Sequence, residues 1–398
     1  MSNPIHDCID QLLLEQGSYT PLDFLLAEGR LDYGDYEAWR SGHIPRLEEM
    51  LFGDPEQISQ MLDQAKAYAI ALKLEPELLA YSPWGSDSNN TLSFSQHPAR
   101  EQCFHTKYGK SEDRPQLDLF MDATAGSLAN RIAQALINRD NSEAQRLLQR
   151  LLEADPGHPR LGALERLVAA EQQLHCHITD AVKILVYIQD ELTPLAEEEL
   201  GPASHNLLVP HWRHLTAALH EVAFDPQHPR LHASYTAGRA FDWRQVVSAI
   251  QSEAGWQQYP LLLWRYAKAH EHLHDKPAAL LAYFQLCWHF PDEANGIGAQ
   301  AALPLQQAWE DFLALEPELP NELFPAWYLM SQPGLVHQLP QPDCAQQTTS
   351  GQAYQVIYGL QQKTRPGSAS LNETSIPLRR ELKQLSPALF THYMQTQR

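Results

Sequence analysis

Basic residues are scarce in this chain. Lys and Arg total 29 against 49 Asp and Glu, a formal net charge of −20 over 398 residues. That balance excludes a whole-chain phosphate-binding surface, and we expect no direct nucleic-acid partner. Cysteine is scarcer still. Cys8, Cys103, Cys176, Cys287 and Cys344 form no C-x-x-C pair and are odd in number, which argues against a disulfide framework and against a thiolate zinc site. Long apolar runs are missing, since none approaches the ~20 residues that a membrane-spanning helix requires. The start, MSNPIHDCIDQLLLEQGS, has no basic cluster, apolar core or small-residue cleavage site of a secretory signal. These absences predict a soluble, cytoplasmic protein with no membrane partner. The chain also lacks G-x-x-x-x-G-K-[ST], a G-x-G-x-x-G after a strand and a G-x-S-x-G elbow, so we expect no cofactor and no enzyme built on those motifs.

What is present is helical. At 43% apolar and 20% charged residues the chain is a folded globular one. Ile5, Ile9, Leu12 and Leu13 recur at helical spacing, Leu22 to Leu26 form a second short helix ended by Gly29, and Asp35–Trp39 a third closed by Gly42. Two more helices are predicted near Arg46–Phe52 and Pro55–Leu74, giving a small N-terminal helical domain over 1–80. As a DNA-reading helix, Tyr33–Arg40 has the wrong sign, offering one cation, Arg40, against Asp35 and Glu37. Residues 81–123 change composition toward Ser, Asn, Pro and Gly and read as a polar connector.

Beyond residue 123 the helical pattern acquires a period. Asp155-Pro-Gly-His-Pro-Arg-Leu161 returns as Asp225-Pro-Gln-His-Pro-Arg-Leu231, and Pro156, Pro194, Pro226, Pro260 and Pro291 stand 38, 32, 34 and 31 residues apart. A proline per unit is read here as the mark of each second helix's end. In two units the spacing is identical: Ala144, Leu148 and Pro156 match Ala279, Tyr283 and Pro291. A small residue, a bulky one a turn later and a terminating proline resemble the tetratricopeptide repeat, over roughly residues 124–295. The Trp and Gly of that family's first helix are replaced by Leu263 and Ala267. The resemblance implies an all-α fold: the N-terminal helical domain, then an α-solenoid over 124–335, then a broken linker with C-terminal capping helices over 336–398. It further implies a non-catalytic scaffold or adaptor that takes another protein or peptide in its repeat groove.

Two motifs offer other functions. Gln116, Leu117, Asp118, Leu119 and Phe120 resemble the pentapeptide by which bacterial polymerases and repair proteins dock on the sliding clamp. Leu119 and Phe120 would fill an apolar slot, with the Gln116 amide at its edge. The competing reading, which we favour, is an apolar plug of Leu117, Leu119 and Phe120. His270-Glu-His-Leu-His274 fits the H-E-x-x-H of zinc hydrolases, with Glu293 as a third candidate ligand. However, Asp275-Lys-Pro277 follows at once and places His274 at a helix end, so we assign no metal site. Thirteen of nineteen histidines lie between His158 and His289, and seven of nine tryptophans between Trp212 and Trp327. Both sets read mainly as helix-face filler and packing.

Overall fold

The computed structural model describes residues 4–85, 91–109, 125–174, 176–339, 348–363 and 371–396. They are all-α in class, with three short strands, and no helix among them is long and apolar enough to cross a membrane. The chain forms two compact units: Met1–Val222 with Arg230–Asp242, and Ala223–Pro229 with Trp243–Arg398.

The first unit begins with α1 (Pro4–Gln16), β1 (Ser18–Tyr19), α2 (Pro21–Ala27), α3 (Tyr33–Arg40) and α4 (Pro55–Ala71). Each of the last three starts where a side-chain oxygen caps a free amide. Thr20 accepts from Asp23 N, Asp32 from Gly34 N and Asp54 from Glu56 N. After α2 and α3 the chain turns at Gly29 and Gly42 with φ of 63° and 77°, a left-handed conformation that side chains resist. The predicted helix near residues 46–52 is a 3-10 turn, Leu47–Met50.

The stretch read as connector is built into this unit as far as residue 109. It carries α5 (Pro98–Phe104) and β3 (Thr106–Gly109), and β2 (Glu75–Leu78) lies just before it. β3 pairs antiparallel with β1 on one side and β2 on the other, with Tyr108 opposite Tyr19 and Pro76. Residues 79–85 and 91–95 pack on α3: Trp39 Nε1 donates to Ser93 O at 2.8 Å, Trp84 N to Arg40 O at 2.7 Å, and Leu92 N to Tyr81 O at 2.7 Å. A polar composition does not make a segment a linker when its backbone groups find partners.

The unit continues with α6 (Ala125–Ile137), α7 (Asn141–Ala154), α8 (Leu161–Gln173), α9 (Ala181–Val186), a π-helical turn over Tyr187–Leu192, α10 (Thr193–Leu200), α11 (His205–Ala218) and α12 (Ala233–Arg239). α6 and α7 form a helical hairpin whose apolar faces meet at Ile132, Leu136, Ala144 and Leu147, all buried.

The second unit holds α13 (Trp243–Gln251), α14 (Pro260–His272), α15 (Lys276–His289), α16 (Ile297–Gln300), α17 (Leu303–Leu313), α18 (Phe324–Ser331), α19 (Thr349–Lys363), α20 (Leu371–Leu385) and α21 (Pro387–Thr396). α14 and α15 pair as the second strong hairpin. An aromatic core gathers Phe284, Trp288, Trp309, Phe312, Phe324 and Tyr354, with the Trp309 and Phe324 rings 4.7 Å apart. A Cβ at Gly298 would fall 2.9 Å from Trp309 Cδ1, so only glycine lets α16 approach this ring. Leu382, Leu389 and Tyr393 of α20 and α21 join the same core, which places the C-terminal helices within the unit.

Two of the prolines read as helix ends mark starts. Pro194 and Pro260 sit in the first turns of α10 and α14, where a missing N–H costs nothing. Pro156 and Pro291 do follow the ends of α7 and α15. The recurrent feature is instead a turn. Arg139, Phe241 and His274 have φ of 53°, 56° and 56°. Each donates its N–H three residues back, to Leu136, Gly238 and Glu271. Each is followed by an aspartate whose N–H reaches the carbonyl five back: Asp140 to Ala135, Asp242 to Ala237, Asp275 to His270. The three turns stand 102 and 33 residues apart, and Lys73, with φ 58°, closes α4 with the same pair of bonds, to Ile70 and, from Leu74, to Ala69.

Candidate functional site: a two-part groove in the first unit

α3 lays Tyr33, Tyr36, Glu37 and Arg40 into the body of the first unit, all of them buried. Arg40 was the one cation that a DNA-reading helix would have offered; it is 6% exposed and unavailable to a phosphate backbone. Glu37 is bound by two guanidiniums, with Arg139 Nη1 at 2.6 Å from Oε1 and Arg213 Nη1 on Oε2. The left-handed turn before α7 aims Arg139, whose Nε also donates to Asn206 O at 2.8 Å. Tyr33 donates to Asn206 Oδ1 at 2.8 Å. The indole of Trp84 lies 4.1 Å from the Arg139 guanidinium carbon and 5.1 Å from that of Arg40, a cation–π pair on each count. This polar knot ties α3 to the α6–α7 turn and the start of α11.

Beside the knot are two cavities, of about 320 and 720 Å³, which share the side chains of Asp23, Leu26, Pro202 and His205. They make one groove of two characters. The smaller part carries Thr20, Tyr36, Arg40, Tyr81 and Lys107 among apolar Leu79, Ala80, Ile137 and Leu200. The larger carries Leu12, Leu208, Val209, Trp212 and Phe241, with Glu197 and Arg239 in the same wall. At the junction Asp23 accepts a hydrogen bond from the Thr20 hydroxyl at 2.7 Å. Burial raises its carboxyl above the ordinary aspartate range, against the opposing pull of Thr20 and Lys107. Burial likewise pushes the Tyr36 and Tyr81 phenols up, so both stay protonated donors. His205 is held down by burial, with its Nδ1 2.6 Å from Pro202 O. The arrangement can bind a ligand that is apolar along most of its length and polar at one end.

The residues singled out from sequence fall elsewhere. Gln116, Leu117, Asp118, Leu119 and Phe120 lie outside the described residues. Ala144, Leu148 and Pro156 belong to the α7 hairpin, with Ala144 buried, Leu148 half-buried and Pro156 exposed. Ala279 and Tyr283 are buried in α15, two turns before Pro291. Of the histidine motif, His270 ends inside α14 with Nδ1 3.3 Å from Asp275 Oδ2, whereas His274 occupies the left-handed turn beyond the helix. The two imidazoles therefore do not share a helical face. Glu271 accepts from Lys268 Nζ at 2.6 Å, Tyr283 Oη at 2.9 Å and Ala302 N at 2.8 Å, and Glu293 is exposed in a 3-10 turn. Among the described residues no group of three or more His, Cys, Asp or Glu is placed to hold a metal ion.

Sequence reasoning missed the groove because Asp23, Arg40, Lys107 and His205 are scattered across 183 positions and share no spacing rule. One signal was present in α3, where Glu37 and Arg40 share a helix face with Tyr33 and Tyr36. The chain matches no family model, no curated protein and no solved structure, so the groove stands on its own geometry as the candidate site.

Proposed function

We propose that this protein is a non-catalytic scaffold of degenerate, tetratricopeptide-like helical repeats that binds a segment of another protein. The observation that carries the reading is the continuity of the two cavities across Asp23 and His205. Together they offer length and an apolar floor for an extended or helical segment. The turn recurring at Arg139, Phe241 and His274 supports the repeat reading, because it places the same left-handed helix end at multiples of one period.

The experiment is site-specific photo-cross-linking in cells. Ala27 is exposed and lines the larger cavity; Leu152, 46% exposed on α7, lies outside the groove. A cross-linker at position 27 is expected to capture a discrete partner that one at position 152 does not. Phe241→Glu, which puts a charge into the apolar floor, should abolish the capture. Capture at both positions alike, or at neither, would reject the groove as the binding site.

A second reading rests on the pentapeptide Gln116–Phe120 and has the protein docking on the sliding clamp. It is compatible with the first, since it uses a different part of the chain.

A further inference from the structure

The cavity at the polar end of the groove contradicts the charge of the chain around it. Against a net charge of −20, its wall holds two cations, Arg40 and Lys107, and one carboxyl, Asp23. Arg40 is the decisive group. Its Nη1 donates to the Tyr36 hydroxyl at 2.9 Å and its Nη2 to Asn138 Oδ1 at 3.0 Å, both neutral acceptors. Its Nε is buried with no acceptor at all. Among the described residues no carboxylate lies within ion-pair distance of it, and its remaining neighbours are the faces of Tyr36, Tyr81 and Trp84, 5.1 to 5.9 Å away. Arg139 and Arg213 differ from it in that each pairs with an oxygen of the Glu37 carboxylate.

A guanidinium taken out of water without a counter-ion is costly, and aromatic faces offset only part of that cost. What completes such a site is an anion. We propose that the Arg40 end of the groove is a carboxylate-binding site, which anchors an acidic group of the bound segment. A guanidinium presents parallel N–H donors that match the two oxygens of a carboxylate, and the Tyr81 hydroxyl and Lys107 stand in the same wall. A carboxylate is favoured over a phosphate because Asp23 shares the wall and repels a dianion more than a monoanion. This inference rests on the reading of the groove as a segment-binding site, and its test separates the two.

The probes are N-acetylglycine, which carries a carboxylate like that of a peptide terminus, its neutral amide, and inorganic phosphate, each titrated into the full chain at constant ionic strength. N-acetylglycine is expected to raise the melting temperature while the amide does not, and phosphate is expected to bind several-fold more weakly. Asp23→Asn should tighten N-acetylglycine several-fold, and Lys107→Gln should weaken it several-fold; both positions are only half-buried, so both variants should fold. Arg40→Gln should abolish the response in protein whose circular dichroism is unchanged. Equal responses to acid and amide, tighter binding of phosphate, or indifference to Asp23→Asn would each overturn the proposal. Saturable N-acetylglycine binding with no cross-linked partner at position 27 would keep the anion site and reject the protein-binding groove. Cross-linking at position 27 without any N-acetylglycine binding would do the reverse.

Discussion

Tyr283 donates its hydroxyl to Glu271 across the α14–α15 hairpin, 2.9 Å from Oε1. The pair joins a residue singled out as a repeat signature to the glutamate of the H-E-x-x-H sequence. It also explains why that glutamate is conformationally fixed, since Lys268 Nζ and the Ala302 amide share the same carboxylate. Burial, and then the charge of Glu271, raise the Tyr283 phenol far above its ordinary value, so it remains a donor at every accessible pH.

Glu271→Ala is therefore expected to destabilise the second unit by about 1–3 kcal/mol, because it leaves the buried Tyr283 hydroxyl without its acceptor. Glu271→Gln, which keeps an acceptor oxygen, should cost less than half as much. Urea unfolding followed by fluorescence checks both, and equal effects of the two substitutions would show that the carboxylate's hydrogen bonds are not what matters.

The turn at His274 and Asp275 predicts effects of opposite sign at adjacent positions. His274 is held at φ 56°, a conformation that glycine adopts without the steric penalty of a Cβ. His274→Gly should stabilise by about 0.5–1 kcal/mol. Asp275 caps α15 by accepting from Ala278 N at 3.2 Å, and Asp275→Ala should cost about 1 kcal/mol. Melting curves of the two single variants suffice, and a His274→Gly protein less stable than the parent would refute the argument.

His211 gives the first unit a pH dependence of definite sign. It is buried in α11, and desolvation, with the neighbouring His214 adding to it, depresses its folded value to about 4. The unfolded chain takes up the proton first. Stability is thus complete above about pH 6.5 and falls as the pH drops toward 4, by about 3 kcal/mol in total. His211→Gln should flatten that fall between pH 6.5 and 4. An unchanged slope in the variant would assign the acid sensitivity to other groups.

For the pentapeptide the outcome is decided by a peptide spanning Arg114–Ala123. If clamp docking is real, this peptide should bind purified sliding clamp at micromolar strength, on the order of −8 kcal/mol. Leu119→Ala with Phe120→Ala should then abolish clamp binding by the whole protein without altering its melting temperature. If these side chains form an apolar plug, the peptide will not bind and the double substitution will cost several kcal/mol, about what large-to-small core changes cost.

The helical class was legible because apolar spacing and punctuation agree. Leu22, Phe24 and Leu25 are buried as their period demands, and Gly29 and Gly42 stop the helices they follow. β3 was not legible. It has four residues, Thr106–Gly109, and its partners at 18–19 and 75–78 are distant in sequence, so no local pattern announces it. Proline was an incomplete guide to periodicity, as Pro210 lies inside α11 and Pro377 inside α20. The left-handed residue followed by aspartate stands in Arg139-Asp140, Phe241-Asp242 and His274-Asp275. It was hidden because left-handed backbone is ordinarily signalled by glycine or asparagine, and none stands at these three positions. The groove depends on side chains brought together only by the fold, and the spacing of Tyr36 and Arg40 on α3 was its one local trace.

The interleaving of the two units along the chain sets a rule for dissecting the molecule. The polypeptide leaves the first unit at Val222, returns to it at Arg230 and departs again after Asp242. The excursion is secured in the second unit, where Phe224 N donates to Glu253 Oε2 at 2.9 Å and its ring meets that of Tyr259 at 5.0 Å. No stop codon or protease nick placed between 223 and 242 can leave both units whole, because any such cut strips at least one of them of a native segment. A fragment ending at Val222 would lack α12 and with it Phe241, the edge of the groove's apolar floor. Loss of binding in such a truncation would report a damaged unit, so the contributions of the two units have to be separated by point substitution or by circular permutation.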